Sequence, residues 1–112
     1  MDVRIEVDYR EKPSGILEVL HNRNDVIVEE KTLSLGDYLI NGHIVVERKT
    51  TKDFIVSIID GRLFNQASRL KKFVEKPIIV IEGRGLYNTG YAMDPRAIKG
   101  AIISLSTVWY IP

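Results

Sequence analysis

Apolar and polar positions change their period several times along the chain, and each change predicts an element. Val3, Ile5 and Val7 alternate with Arg4, Glu6 and Asp8, the two-residue period of a half-buried strand. Ser14 is placed to cap a short helix reaching about Asn22, with Ile16, Leu17 and Leu20 as its apolar stripe. Val26-Ile27-Val28 predicts a second strand. Tyr38-Leu39-Ile40 and Ile44-Val45-Val46 flank Asn41-Gly42, a preferred hairpin turn because both turn positions need positive φ. After Lys49 the period lengthens. Thr50 or Thr51 can cap a helix whose Phe54, Ile55, Ile58 and Ile59 share a face, and Asp60-Gly61 ends or bends it. Leu63, Phe64, Ala67 and Leu70 repeat at helical spacing to about Val74. Pro77 precedes Ile78-Ile79-Val80-Ile81, a run without polar alternation that predicts a strand covered on both faces. Residues 83–93 read as a loop. Asp94 caps a last helix with Pro95 at its first position and Ile98, Ala101, Ile102 and Leu105 on one face, and Val108 to Ile111 reads as the start of another strand. Helices on both sides of a mixed central sheet make the class α/β.

Composition narrows this picture. The chain has 112 residues, 45% hydrophobic and 28% charged, which describes one globular domain without repeat, linker or low-complexity tract. Such a length buries roughly two-thirds of the unfolded surface without staples. The absence of cysteine excludes disulfides and thiolate metal sites. Apolar runs are too short to span a membrane, and the start Met1-Asp2-Val3-Arg4 has no signal-peptide core, so an intracellular protein is expected. The formal net charge of +1 hides an asymmetry. Residues 1–46 carry 5 basic and 9 acidic side chains, whereas residues 47–72 carry 7 basic and 3 acidic. A basic middle suits either a solvated helix surface or a polyanion.

The candidate chemistry lies where charge interrupts the hairpin's second strand. Glu47 and Lys49 point to one face and Arg48 to the other. Asp37 lies on the partner strand, and Asp8 ends the first strand. Glu47 and Lys49 suit a strand-end ion pair, and they equally suit a ligand for Mg²⁺ beside a positively charged catalytic group. Register decides whether the two carboxylates meet. A strict two-residue turn sets Asp37 opposite Val46 and turns Glu47 to the other face; a three-residue loop or a bulge sets Asp37 and Glu47 together. Arg62, Gln66 and Arg69 recur at helical spacing as one polar face. Gly83-Arg84-Gly85 lacks the full glycine pattern of a nucleotide loop, and His21 and His43 are isolated.

Together these residues read G-D-x(9)-E-R-K-x(3)-D: Gly36-Asp37, Glu47-Arg48-Lys49 and Asp53. The pattern resembles the signature of the XPF/Hef family of structure-specific DNA endonucleases. Asp8-Tyr9-Arg10-Glu11 is similar to the family's D-x-R-E, and Leu35 to Tyr38, Ser57-Ile58, Asp60 to Leu63, Gln66 and Ile81-Glu82-Gly83 also fit. The resemblance covers about residues 3–106. It implies a restriction-endonuclease-like core acting in DNA repair on branched DNA such as flaps and forks. Asp37 and Glu47 would hold Mg²⁺ (or Mn²⁺), the Arg48 carbonyl would complete the shell, and Lys49 would be the catalytic lysine. Asp8 would approach the metal through water, and Asp53 would hold Arg48 or a neighbour in place. Arg62 and Gln66 would turn to the scissile phosphate, with Arg10, Lys52 and Arg69 as further DNA contacts. Family nuclease domains pair, and a segment from Ala97 to Tyr110 with Lys99 as its one charge suits a homodimer interface on the last helix and the strand after it. The chain reads as one nuclease domain over 1–112, excised from helix-hairpin-helix and helicase domains. It would act in the cytoplasm of an archaeon or the nucleus of a eukaryote. A non-catalytic DNA-binding or dimerisation module of the same fold is the alternative, and a metabolite-binding α/β domain is a third.

Overall fold

In the computed structural model, residues 2–112 are described, and they form a five-stranded mixed sheet with helices on both faces. The strands are β1 (Val3–Asp8), β2 (Val26–Lys31), β3 (Tyr38–Ile40), β4 (Ile44–Thr50) and β5 (Lys76–Glu82), in the order β2-β1-β3-β4-β5. The outer pairs β1/β2 and β4/β5 are parallel, while β1/β3 and β3/β4 are antiparallel. The helices are α1 (Ile16–His21), α2 (Thr51–Ile59), α3 (Leu63–Phe73) and α4 (Pro95–Thr107).

The hairpin register settles the question left by the sequence. Tyr38 pairs with Val46, Leu39 with Val45 and Ile40 with Ile44, so the loop is Asn41-Gly42-His43. Asn41 and Gly42 take positive φ (50° and 79°), and the Asn41 side chain accepts from the Arg4 backbone N–H. One residue beyond the ladder, the Asp37 N–H donates to the Val46 carbonyl, which already faces Tyr38, so the strand bulges there and the Asp37 and Glu47 side chains line the same cavity. Gly36 makes this approach feasible. It sits at φ 74°, and a Cβ there would run into Val45 Cγ1.

α2, α3 and α4 cover one face of the sheet. Phe54, Ile55, Leu63, Ala67 and Ile98 pack there on Val45, with Ile79 and Ile81 of β5 beside them. α1 covers the other face less fully, over Val7, Leu17 and Tyr38. Thr50 ends β4 and caps α2 with no loop between them, its Oγ1 accepting from the Asp53 N–H at 3.1 Å.

Several expectations need correcting. Ser14 ends a 3-10 turn over Tyr9–Ser14; Gly15 occupies the N-cap of α1, although the Ser14 hydroxyl accepts from the Ile16 N–H. Ile59 is half exposed, because Ser57 takes the last inward position of α2 and donates its hydroxyl to the Phe54 carbonyl. β5 is not covered on both faces: it is an edge strand, and Val80 is 43% exposed on the thinly covered face. Val108 to Ile111 forms no strand. Val108 and Trp109 both donate to the Ser104 carbonyl, Tyr110 takes φ 55°, and Ile111 turns back into the core. Pro112, whose nitrogen has no hydrogen to give, offers its carbonyl to the Ile79 N–H. No helix among the described residues is long and apolar enough to cross a membrane.

Candidate active site

The C-terminal half of β4 carries charge on both of its faces. On the α2–α3 face, Glu47, Lys49 and Asp37 line an open cavity of about 360 Å³, with Asp53 and Arg62 at its helical side. Lys49 is 93% buried, its exposure being only 7%. The Arg48 backbone N–H donates to Asp37 Oδ2 at 2.8 Å and locks that carboxylate against the strand. Burial raises the Asp37 carboxyl pKa, against the opposing pull of this hydrogen bond. Burial, and then the negative charge of Asp37, push Glu47 up to about 7, with Lys49 opposing. The site therefore holds two facing carboxylates short of positive charge.

Toward the other face, the Arg48 side chain enters an ion-pair network whose Arg48 and Glu11 still border the same cavity. Its Nε donates to Glu11 Oε2 at 2.8 Å, and its Nη1 pairs with Glu82. The Tyr38 hydroxyl donates to the same Glu11 oxygen at 2.6 Å, and burial and that acceptor push the phenol up to about 12. Hydrogen bonding to Glu11 raises the already high Arg48 pKa. Arg48 is thus held by Glu11 and Glu82, not by Asp53 as expected. Glu11 and Glu82 lie 37 and 34 residues away, and only the fixed letters of D-x-R-E and I-E-G in the sequence pointed to them.

Asp8 stands apart from the cavity. It is fully buried, and both oxygens are engaged: Oδ1 accepts from the Arg10 N–H and Nε, Oδ2 from Arg10 Nη2 and the Leu33 N–H. These bonds hold its carboxyl well below the usual range, and they cap the turn that presents Glu11. Arg10 is exposed on the outer side of this pair. Arg62 faces both the cavity and Asp60, whose carboxylate lies 3.3 Å away. Gln66 lies next to Glu47 along a smaller cavity, and its Oε1 has no partner. Arg69 follows one helical turn further. Lys52 points elsewhere, over the Tyr91 ring at 5.9 Å. The structure so brings Asp37, Glu47, Arg48, Lys49, Asp53 and Arg62 to one cavity, together with Glu11, and sets Gln66 and Arg69 on its extension; Asp8, Arg10 and Lys52 lie outside it. On the proposed dimer face, Ile98, Ala101 and Leu105 are spent on the domain's own core.

Comparison with known proteins agrees with this geometry. Residues 7–112 match the ERCC4 domain. The 3'-flap repair endonuclease Xpf of Saccharolobus solfataricus is 38% identical over 104 residues, covering 93% of this chain and 44% of that protein. A Methanocaldococcus jannaschii protein named as an ATP-dependent RNA helicase is 44% identical over 110 residues, 98% of this chain but 13% of its own length. XPF from Aeropyrum pernix, solved in complex with DNA, superposes with a TM-score of 0.80 at 41% identity, over 96% of this chain and 53% of that one. The chain spans about half or less of the relatives it matches. Sheet order, motif and match over nearly the whole length lead to one conclusion: this chain belongs to the ERCC4 domain family and has the fold of the XPF nuclease domain.

Proposed function

We propose that this domain is a divalent-metal-dependent endodeoxyribonuclease, hydrolysing phosphodiester bonds near duplex/single-strand junctions such as flaps and forks in DNA repair. The observation that carries this reading is the one cavity that Asp37, Glu47 and Lys49 line together, with burial and Asp37 raising the Glu47 carboxyl pKa. Among the described residues, no group of three or more His, Cys, Asp and Glu is arranged to hold a metal. Two carboxylates that retain protons unusually well still fit a hard cation that binds through one or two carboxylates and keeps several waters. Asp37 and Glu47 would hold Mg²⁺ or Mn²⁺, with the Arg48 carbonyl nearby. When bound, the cation would polarise a phosphate oxygen and lower the pKa of a coordinated water.

The chain's own groups supply the rest. Lys49, buried at the strand end, offsets the negative charge that grows on the attacked phosphate. Arg62, Gln66 and Arg69 position the strand from α3, and Arg10 and Lys52 contact phosphates further out. Asp53 keeps the helical wall of the cavity polar. Asp8 acts at one remove, by fixing the turn that carries Glu11 and through it Arg48. The domain would also pair with a second copy through Ile103, Val108 and Tyr110, which stay exposed at and after α4. Sedimentation of Ile103→Asp against the unaltered chain tests that pairing.

A labelled flap incubated with the protein, with and without Mg²⁺, tests the activity. Cleavage in Mg²⁺ or Mn²⁺ that disappears in EDTA and in Glu47→Gln is expected. Absence of cleavage with either metal, or cleavage that survives Glu47→Gln, overturns the reading.

A further inference from the structure

The cavity at Glu47 does not end there. A second cavity of about 150 Å³ continues from Glu47 past Gln66 to Leu35 and Arg69. A third, of about 530 Å³, continues from Leu35 and Arg69 to His43 of the hairpin loop and Phe73. Shared lining residues join the three into one groove between α3 and the β3–β4 hairpin. One wall is a single helical stripe: Arg62, Gln66, Arg69 and Phe73, at spacings of four, three and four residues. The polar face noted in the sequence therefore ends, one turn later, in an aromatic ring.

We propose that this groove is the path of the single-stranded arm of the DNA, from the cleavage centre at Glu47 to an aromatic platform at Phe73. The inference rests on the nuclease reading for its starting point and names the substrate feature that the same site selects. Four observations carry it. Phe73 is 66% exposed at the C-terminal end of α3, where a core residue would be covered. Lys72 lies over that ring, its Nζ 5.3 Å from the centroid, so charge for a phosphate sits beside a face for a base. Arg69 projects midway and makes no ion pair among the described residues, whereas Arg62 at the near end is paired with Asp60. Glu75 is the one acid along the outer cavity, and it lies at the far end beyond Phe73.

A positive track with aromatic stacking is how proteins hold single strands without reading sequence. The length agrees as well. Glu47 lies four strand steps from His43, roughly 13 Å at the strand rise. That spans about four nucleotides at the 3.4 Å spacing of a stacked strand. The middle cavity, about 150 Å³ between Leu35, Glu47, Gln66 and Arg69, is too small to admit a duplex, so the arm, not the duplex, is the groove's occupant.

Binding measured in EDTA separates this proposal from the nuclease reading. The probe is a fluorescent oligo-dT of about 12 nucleotides, within the usual site sizes of single-strand binders. Phe73→Ala is expected to weaken its binding about tenfold, the loss of one stacked base. Arg69→Ala is expected to weaken it and to reduce the dependence of log K on log salt by about one. In a second measurement, photocrosslinking of 5-bromouracil in the arm of a flap is expected to label the peptide that contains Phe73. Unchanged oligo-dT binding in both variants, an equal loss for a blunt duplex, or crosslinks confined to other peptides overturns the groove. Conversion of a dimer to a monomer by Phe73→Ala also overturns it, since the platform would then belong to a second copy. A protein that binds oligo-dT through Phe73 but cuts no flap keeps the groove and fails the nuclease reading.

Discussion

On the α1 face of β4 every charge has found its partner. Arg48 lies between Glu11 and Glu82, and Tyr38 donates to the same Glu11 oxygen that receives the guanidinium. On the other face, one residue away, Glu47 and Asp37 confront each other with Lys49 as the nearby counter-charge, and burial lifts both carboxyl pKa values. Both constellations are partly buried, both come from the same short motif, and one peptide plane separates them. The closed one leaves little for a ligand to do, so it contributes to stability and position. The open one carries excess negative charge in a cavity, which costs the free protein stability and is relieved by whatever cation enters. Burial of charge alone does not mark a functional site; the unbalanced remainder does.

This contrast can be broken from either side. Arg48→Met should have the largest effect, because it strands Glu11 in a buried position without its cation. Loss of about 3–5 kcal/mol is expected, read from urea or guanidinium unfolding. Lys49→Ala should act on rate. Flap cleavage is expected to drop about 10²–10³-fold, with DNA affinity measured in EDTA nearly unchanged, since the contact strengthens in the transition state. Glu47→Gln sharpens the comparison through pH. The folded-state pKa of about 7 lies above the ordinary 4.5, so the folded protein binds the extra proton. Metal-free wild type therefore loses stability as pH rises from 4.5 through 7, by about 3 kcal/mol at most. In Glu47→Gln that slope should flatten, and thermal unfolding in EDTA at several pH values checks it. Tyr38→Phe removes one neutral donor from the closed network and should cost about 1 kcal/mol, with cleavage retained.

Much of this arrangement was legible in the sequence where chemistry is local. The alternation in β1, the Asn41-Gly42 turn, the Thr50 and Asp94 caps and the helices α2 to α4 all depend on neighbours within a few residues, and they stand where expected, although Ile59 and Phe64 fall off the buried stripes. What needed the structure depends on distant partners. The loop of Asn41-Gly42-His43 differs from a two-residue turn by one position, and the strand then bulges at Asp37, so the meeting of Asp37 with Glu47 rests on details no local pattern shows. No local signal tells the 3-10 turn at Tyr9–Ser14 to bring Glu11 under Arg48. An unbroken apolar run at Ile78 to Ile81 reads as covered on both faces, but Val80 is 43% exposed, because α1 covers its face only in part. Val108 to Ile111 has strand-like side chains, and the competition between pairing and burial of Ile111 was won by burial.

The direct junction of β4 with α2 has a consequence for how such a domain tolerates change in length. Thr50 closes the strand and caps the helix, so no slack separates Lys49 from Asp53. One residue inserted between Thr50 and Thr51 would rotate the whole of α2 by about 100°, lifting Phe54 and Ile55 out of the core and turning Asp53 away from the cavity. A residue deleted there would do the same in the opposite sense. Substitutions at this seam are graded, but insertions and deletions are all-or-none. The reading frame of the fold is fixed here as firmly as that of a codon, and natural length variation in such domains should collect instead in the loop at residues 83–93.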